Sequence, residues 1–489
     1  MITVPNQLIA SLPLIVIGCT ILILLVFISW RRNHLCTALL TCICLVLSCS
    51  SLYFVNNVSS IDIMSLLYVD SYSIFYTILI IISTLTTSLF GYVWLSNFLD
   101  HQEEFYILLL ISTLGSIILV STNNFVTLFL GIELLSLPLF GLIGYTFHKK
   151  TSLEASIKYT ILSAMASSFL LFGIAFIYFN CGDLNFLLIG AKFISNDLIK
   201  EPLFLIGFGM VITSIGFKLS LVPFHIWTPD VYQGAPASVS AFLSTVSKIS
   251  IFSAITRLFI YIPITNSMAI TNSLVMIAFM SILLGNIMAM FQQNIKRLLG
   301  YSSISHFGYL LVSLIALKYK CLSLESSGIY IISYLISILG VFGIIVLISR
   351  NVCPTKDADS LCYYRGLFWQ NPILSTIMTI MMLSMAGIPL TLGFIGKFYI
   401  LSLSMITHLW WLTVAIIISS IIGVYYYLRI TLSFYQYPSK INNYIISNNW
   451  IFTPLGIILL IIAILNFLLG IYPQPLINLM QFVHAIAHC

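Results

Sequence analysis

Four ionisable side chains, Glu133, Lys218, Lys248 and Lys397, lie deep within apolar stretches of the sequence. A charge at the centre of a membrane-spanning helix costs roughly 2.5–3.5 kcal/mol on insertion scales, so each of these residues requires a reason. A lysine removed from water tends to lose its proton, and a neighbouring carboxylate holds that proton in place. The four residues therefore predict a proton-binding site whose affinity can be switched. A static buried ion pair is the alternative, but desolvation makes such pairs weak stabilisers.

Two further residues, Lys158 and His225, are accessory candidates for proton transfer. His225 follows Lys218 by seven residues, or two helical turns, although a lone histidine is more often a satisfied core residue. The run from Thr151 to Glu154 has the spacing of a capping box, and Glu154 lies four residues before Lys158, which favours a helical ion pair. A structural pair and a point of proton uptake both remain open for Lys158.

Other polar residues in the apolar stretches have structural explanations. Arg257 and Arg429 each lie four residues from the end of a predicted span, where a long side chain can reach the membrane interface. The run Tyr425-Tyr426-Tyr427 is typical of an interfacial aromatic belt. The polar segment 301–306, which ends at His306, is expected either to supply hydroxyl contacts across the middle of the membrane or to pack helices.

Transmembrane helices must position all of these residues. Of the 489 residues, 60% are hydrophobic and 7% are charged, and the mean hydropathy is +1.09. Soluble domains carry about 25% charged residues, so this composition excludes a soluble protein. The net charge of +6 is spread without a basic run, which argues against nucleic-acid binding. Fourteen apolar windows are long enough to be helical spans, approximately 7–30, 35–55, 72–95, 105–121, 124–146, 154–179, 203–227, 237–261, 270–290, 299–317, 324–349, 373–403, 409–433 and 452–471.

Two of these spans are interrupted close to a lysine. Pro223 follows Lys218 by five residues, and Pro389 together with three glycines precedes Lys397. Broken helices at matching places in two halves of a chain indicate inverted repeats with an ion site at mid-membrane depth. Freed backbone carbonyls and water could then line a polar path.

The spans group into four regions around these breaks. Segments 105–261 and 270–433 each hold five spans with the break in the fourth, and because five is odd the second unit is inverted. Residues 1–104 hold the first three spans, and residues 452–489 hold the last span and a short tail. The predicted fold is therefore an all-α polytopic membrane protein with about fourteen transmembrane helices, two inverted five-helix repeats and discontinuous helices in each repeat.

Basic residues in the connections predict the orientation of the chain. With both termini outside, ten lie in inner loops and four in outer loops. The inner set is Arg31, Arg32, Lys149, Lys150, Lys296, Arg297, Arg350, Lys356, Arg365 and Lys440, and the outer set is Lys192, Lys200, Lys318 and Lys320.

The ten cysteines include no CxxC and no zinc spacing, so no metal site is expected. Cys353 and Cys362 share one connection and could pair.

Four segments, 131–138, 153–159, 216–230 and 294–306, resemble the N-subunit family of bacterial NADH:quinone oxidoreductase, the counterpart of mitochondrial NADH dehydrogenase subunit 2. The resemblance extends nearly end to end. It implies a proton half-channel in each repeat, joined by a hydrated axis of charged residues. By matching motif, it makes Glu133 and Lys218 the coupling ion pair, Lys248 the central relay, Lys397 the connection to the opposite exit, and Lys158 and His225 accessory residues.

The resemblance also implies what lies outside this chain. NADH, FMN, iron–sulfur clusters and quinone are expected in partner subunits, and no binding motif for them occurs here. The expected role is a proton-translocating membrane-arm subunit, without a redox site of its own. Its expected location is the bacterial cytoplasmic membrane, with the mitochondrial inner membrane as the alternative. Expected partners are antiporter-like sister subunits and membrane lipids.

Two other functions fit the same residues. A cation/proton antiporter or a membrane-bound hydrogenase would use similar buried lysines. A purely structural membrane subunit would use the charges only to fix helix packing.

Overall fold

The computed structural model describes residues 3–56, 60–96, 101–195, 201–263, 267–352, 357–437 and 448–486, and most of them are helical. The N-terminal half contains α1 (Thr3–Ala10), α2 (Leu12–Trp30), α3 (His34–Asn56), β1 (Ile61–Ile63), β2 (Leu67–Val69), α4 (Ser71–Leu95), α5 (Glu104–Val120), α6 (Phe125–Ile143), α7 (Lys150–Cys181), α8 (Phe186–Ser195), α9 (Pro202–Lys218), α10 (Trp227–Gly234), α11 (Ala237–Phe242) and α12 (Lys248–Tyr261). The C-terminal half contains α13 (Met268–Met290), α14 (Ile295–Ile315), α15 (Lys320–Val352), α16 (Leu367–Gln370), α17 (Pro372–Ala386), α18 (Leu392–Ile406), α19 (Trp410–Tyr435), α20 (Pro454–Ile471) and α21 (Gln474–Ile486). Short 3₁₀ helices span Leu361–Tyr364 and Asn448–Phe452.

The fold class predicted from the sequence is confirmed. Within the described ranges, eleven helices are long and apolar enough to cross a membrane. One of the eleven, Ala237–Tyr261, joins α11 to α12 through a π-helical turn at Leu243–Ser247. The seventeen-residue α5 and the two broken helices, α9 with α10 and α17 with α18, account for the other predicted spans.

Two helices, α14 and α7, begin earlier in the sequence than the apolar windows predict. Helix α14 begins at Ile295 because the Asn294 side chain accepts hydrogen bonds from the backbone N–H groups of Lys296 and Arg297. Lys296 therefore belongs to the helix rather than to a loop. Helix α7 already begins at Lys150, so Thr151 is not a cap, and the predicted capping box is wrong.

Both helix breaks lie beside a lysine. Lys218 is the last residue of α9, and the chain resumes as α10 only at Trp227. Helix α17 ends at Ala386, and Gly387 adopts a left-handed φ of +82°. A Cβ at Gly387 would also lie 2.7 Å from Lys397 Cδ, so the break and the lysine require glycine here.

Equivalent contacts recur in the two predicted repeats. A Cβ on Gly115 of α5 would lie 2.6 Å from the backbone nitrogen of Leu135 in α6. In the second unit, a Cβ on Gly285 of α13 would lie 2.8 Å from the backbone nitrogen of Ser305 in α14. The small residue is what lets each helix pair approach so closely. This recurrence supports two related units, while the repeat limits 105–261 and 270–433 stay a prediction.

A short hairpin links the N-terminal helices to the first repeat. Strands β1 and β2 pair antiparallel, and Asp70 then caps α4 in a capping box with Ser73. The Arg257 side chain, only 3% exposed, donates to Asp70 Oδ1 at 2.5 Å and to the Tyr68 carbonyl at 2.7 Å. The predicted interfacial role of Arg257 is therefore wrong, because Asp70 supplies a buried counter-charge. Arg429 remains exposed.

Some sequence-based predictions concern residues outside the described ranges. Cys353, one partner of the predicted Cys353–Cys362 pair, is among them. So are Lys200, Lys356 and Lys440, which contribute to the predicted orientation.

The Asp70–Arg257 pair makes a stability prediction. Asp70→Asn keeps a good helix cap but leaves the guanidinium buried without its carboxylate, which should cost about 3–5 kcal/mol. We expect a lower melting temperature in thermal unfolding of the purified protein. The double variant Asp70→Asn/Arg257→Met should recover most of the loss, and Arg429→Met, at an exposed site, should change little. An unaltered melting temperature for Asp70→Asn would contradict the assignment.

Candidate functional site

Lys218 and Glu133 lie in the same neighbourhood of the first repeat. The Lys218 side chain is buried, and its Nζ donates to Ser163 Oγ of α7 at 2.7 Å. Glu133, partly buried on α6, forms no ion pair within 4.0 Å with any described residue, yet it is close enough to interact electrostatically with Lys218. Lys218 is thus bound directly to a neutral hydroxyl, and the carboxylate acts on it through its electric field.

Lys248 joins the two predicted repeats. It is 1% exposed and is the first residue of α12, immediately after the π-helical turn. Such turns are frequent at functional sites. Its Nζ donates to Ser220 Oγ at 2.5 Å and to Ser303 Oγ at 2.9 Å. Ser220 belongs to the first helix break and Ser303 to α14, so this ammonium group bridges the units.

A histidine surrounded by tyrosines continues the polar interior beyond Lys248. His306 is 5% exposed, and its Nδ1 is hydrogen-bonded to the Tyr330 hydroxyl at 2.5 Å. Its Nε2 lies 3.5 Å from the Tyr427 hydroxyl. The Tyr426 hydroxyl donates to Asn286 Oδ1 at 3.0 Å. These residues therefore place donors and acceptors in the core of the second repeat.

The interfacial belt predicted for the tyrosine run is wrong for two of its three members. Tyr426 and Tyr427 are each 1% exposed, and only Tyr425, at 58%, faces outward. Successive residues of an α-helix point about 100° apart, so three consecutive tyrosines cannot all face the lipid. This rule was the available signal that part of the run lies inside.

Lys397 binds the carbonyls that the second break releases. Its Nζ donates to the carbonyl oxygens of Met385 and Ala386, at 2.9 and 2.7 Å. These are the last two residues of α17, whose carbonyls have no helical partner after the break. The side chain thus occupies the polar end of a half-helix inside the bundle.

A small cavity lies between Lys397 and His306. Its volume of about 10 Å³ is close to the space of a single water molecule. The buried hydroxyl of Tyr334 faces no hydrogen-bond partner among the described residues. The cavity is lined by His306, Tyr330, Ser333, Tyr334, Ser337, Ser384, Met385, Gly393 and Lys397. One water in this cavity would have polar side chains within reach on the His306 side and on the Lys397 side.

The accessory candidates have different surroundings. Lys158 is 41% exposed and pairs with Glu154 at 2.6 Å and with Asp230 at 2.8 Å, and Asp230 also contacts Arg297 at 3.3 Å. The predicted Glu154–Lys158 helical pair is thus formed. His225 lies in the first break, and its buried Nδ1 has no hydrogen-bond partner among the described residues.

The basic residues of the interior divide into two groups. Arg257 and Lys296 each bind a carboxylate, Lys296 through Asp357 at 2.7 Å. Lys218, Lys248 and Lys397 bind only hydroxyl or carbonyl oxygens among the described residues. The first group is built as fixed ion pairs, whereas the second retains neutral partners that tolerate either protonation state. Ser303 lies in the polar segment 301–306, for which hydroxyl contacts were one of the two expected roles, and the structure forms such a contact with Lys248. Sequence reasoning missed Ser163 and Ser220, since serine is too common in helices to mark a site.

Comparisons with known proteins agree with this architecture. Residues 122–423 match the family described as NADH:quinone oxidoreductase/Mrp antiporter, transmembrane. In respiratory complex I from Thermus thermophilus with bound aureothin, one chain is 27% identical, with 96% of this chain and 99% of that chain covered and a TM-score of 0.80.

Two other solved assemblies share the fold. A chain of the membrane-bound sulfane sulfur reductase, an archaeal respiratory membrane complex, is 21% identical, with 98% of each chain covered and a TM-score of 0.85. A chain of the Mrp complex from Dietzia sp. DQ12-45-1b is 18% identical, with 98% of this chain and 97% of that chain covered and a TM-score of 0.82. The family match extends over most of the chain and includes Glu133, Lys218, Lys248 and Lys397. The protein belongs to the NADH:quinone oxidoreductase/Mrp antiporter family of transmembrane subunits.

Proposed function

We propose that this chain is a proton-translocating membrane-arm subunit of NADH:quinone oxidoreductase. The observation that carries the proposal is the set of three interior lysines, Lys218, Lys248 and Lys397, whose ammonium groups bind neutral oxygens rather than carboxylates. An ammonium group locked to a carboxylate cannot easily give up its proton. One that is bound to a hydroxyl or a carbonyl can do so and leave a neutral amine in the same place.

The electric field of Glu133 supplies the switch in this proposal. Quinone reduction in a partner subunit changes the charges near one end of the chain and weakens the hold of Glu133 on the Lys218 proton. Lys218 then passes a proton toward Lys248 through the break that contains Ser220. A serine hydroxyl can relay a proton because it accepts one hydrogen bond and donates another.

The second repeat completes the transfer. Ser303 connects Lys248 to α14, which also carries His306. One water in the cavity beside Tyr334 would bridge from His306 to Lys397. Lys397 then releases a proton toward the opposite face. Lys158 and His225 have accessory roles near the first half of this path.

The cellular setting follows from the same proposal. The chain lies in the bacterial cytoplasmic membrane with both termini on the periplasmic side, beside antiporter-like sister subunits and membrane lipids. NADH, FMN, iron–sulfur clusters and quinone bind to partner subunits, so this chain contributes proton transfer to the complex and no redox step of its own.

A cation/proton antiporter is the second candidate function. The observation that favours it is the family description, which includes Mrp antiporters, together with the shared fold of the Mrp complex chain. Copurification separates the two candidates. A membrane-arm subunit purifies with peripheral subunits that oxidise NADH, whereas an antiporter subunit purifies without them.

Lys218→Ala tests the main proposal. A positioned proton-transfer group contributes roughly 10²–10⁴-fold to a rate, so proton pumping by the reconstituted complex should fall at least about tenfold. The measurement is NADH-driven acidification of proteoliposomes, normalised to the amount of assembled complex. Lys192→Ala is the matched control, because Lys192 pairs with Asp183 away from this path. Unchanged pumping in Lys218→Ala would count decisively against the proposed function.

Ser220→Ala tests the hydroxyl relay separately. The change removes one of the two hydroxyl partners of Lys248, so we expect pumping to slow several-fold without loss of assembly. Ser250→Ala is the control, because among the described residues the Ser250 hydroxyl donates to the Ser247 carbonyl, in the π-helical turn that directly precedes its own helix. Equal pumping rates in the two serine variants would argue against a relay through the break.

A further inference from the structure

Glu325 is a carboxylate in a membrane-spanning helix that the proposed path does not use. It is the sixth residue of α15 and is partly buried. Among the described residues it has no ion pair within 4.0 Å. The basic residues closest to it in sequence, Lys318 and Lys320, are exposed beyond the start of the apolar part of the helix. An unpaired acid within a span is a functional candidate by default.

Helix α15 packs antiparallel against α18, the helix that carries Lys397. A Cβ on Gly396 would lie 2.7 Å from Ser333 Oγ and 3.1 Å from Tyr330 Cδ2. Tyr399, three residues later on α18, lies near Glu325. The two helices are therefore antiparallel: residues that follow Lys397 on α18 lie beside residues that precede Ser333 on α15, in the direction of Glu325.

Glu325 lies between the cavity beside Lys397 and the protein surface. Tyr330 and Ser333 line that cavity, and Glu325 precedes Tyr330 by five residues, about 7.5 Å of helix rise. In the other direction, Leu322 is 44% exposed and Tyr319 is 49% exposed. The surface at which α15 begins is the outer one in the predicted orientation.

We propose that Glu325 is the carboxylate that receives the proton from Lys397 and releases it at the outer surface. This proposal rests on the proposed function. In this proposal the route between the two groups runs past the hydroxyls of Tyr330 and Ser333, which line the cavity, and of Tyr399 on α18, with water completing it. In the transfer, an N–H bond of the Lys397 ammonium breaks and an O–H bond of Glu325 forms, which leaves a neutral amine and a neutral acid. The acid then loses its proton to bulk water, so no further reactant is needed.

The position of the carboxylate explains why the path needs it. Lys397 binds two backbone carbonyls inside the bundle, and neither carbonyl can carry a proton away. A carboxylate nearer the surface can hold the proton briefly and exchange it with water. Its negative charge also attracts a proton leaving Lys397, which gives the transfer a direction.

Glu325→Gln in the reconstituted complex is the primary test. It removes the titratable group while keeping the size of the side chain, and we expect NADH-driven proton pumping to fall at least threefold. Glu325→Asp and Glu325→His both retain a group that can carry a proton, and both should restore at least half of the wild-type rate. Glu201→Gln is the matched control, because Glu201 is exposed at the start of α9, which the predicted orientation places at the same membrane face as the start of α15, and this variant should pump like wild type.

The outcomes separate this proposal from the function on which it rests. Wild-type pumping in Glu325→Gln, with Lys218→Ala impaired, would overturn the exit carboxylate and leave the proposed function standing. Wild-type pumping in Lys218→Ala would overturn both. Equal losses in the Gln, Asp and His variants would overturn the proposal in favour of a packing role, because only proton transfer depends on a titratable group.

Discussion

The hydrogen bonding of three interior ammonium groups is the constraint on which the rest of the structure depends. An ammonium group in a low-dielectric interior is costly unless it is hydrogen-bonded or paired with a charge. Among the described residues, Lys218 donates to one neutral oxygen, and Lys248 and Lys397 donate to two each, from serine side chains and from a helix end. This arrangement stabilises the charge without fixing it, whereas the carboxylate partners of Arg257 and Lys296 hold those cations permanently.

The helix breaks supply three of these five neutral oxygens, and Ser163 of α7 and Ser303 of α14 supply the other two. A continuous helix binds its interior carbonyls to its own N–H groups, so it offers a buried cation only its side chains. The break after α17 releases the carbonyls of Met385 and Ala386 to Lys397. The break after α9 exposes Ser220 to Lys248, and the π-helical turn directly precedes that lysine. The interruptions that weaken the helices are thus features that make the interior of the bundle polar.

Sequence alone could predict the helices and the charged residues, because both follow from the energetics of hydrocarbon. Apolar windows predict the spans that the described residues form, and proline or glycine predicts both breaks. The Glu154–Lys158 pair within one helix follows from its spacing. Partners on other helices could not be predicted, since they depend on which helices pack together. The sequence predicts Arg257 at the interface because its counter-charge, Asp70, is far away in sequence and close only in the fold. The family resemblance implies that Lys218 and Glu133 form an ion pair, whereas Ser163 on a third helix is the direct partner of Lys218.

The central claim is that buried titratable groups form a continuous path for protons between the two repeats. A density map of the assembled complex, at a resolution that shows ordered water, tests it most directly. We predict water in the cavity that His306, Tyr334 and Lys397 line, and in the gap between Lys218 and Lys248. Tightly packed side chains with no water in either place, in every state of the catalytic cycle, would contradict the account.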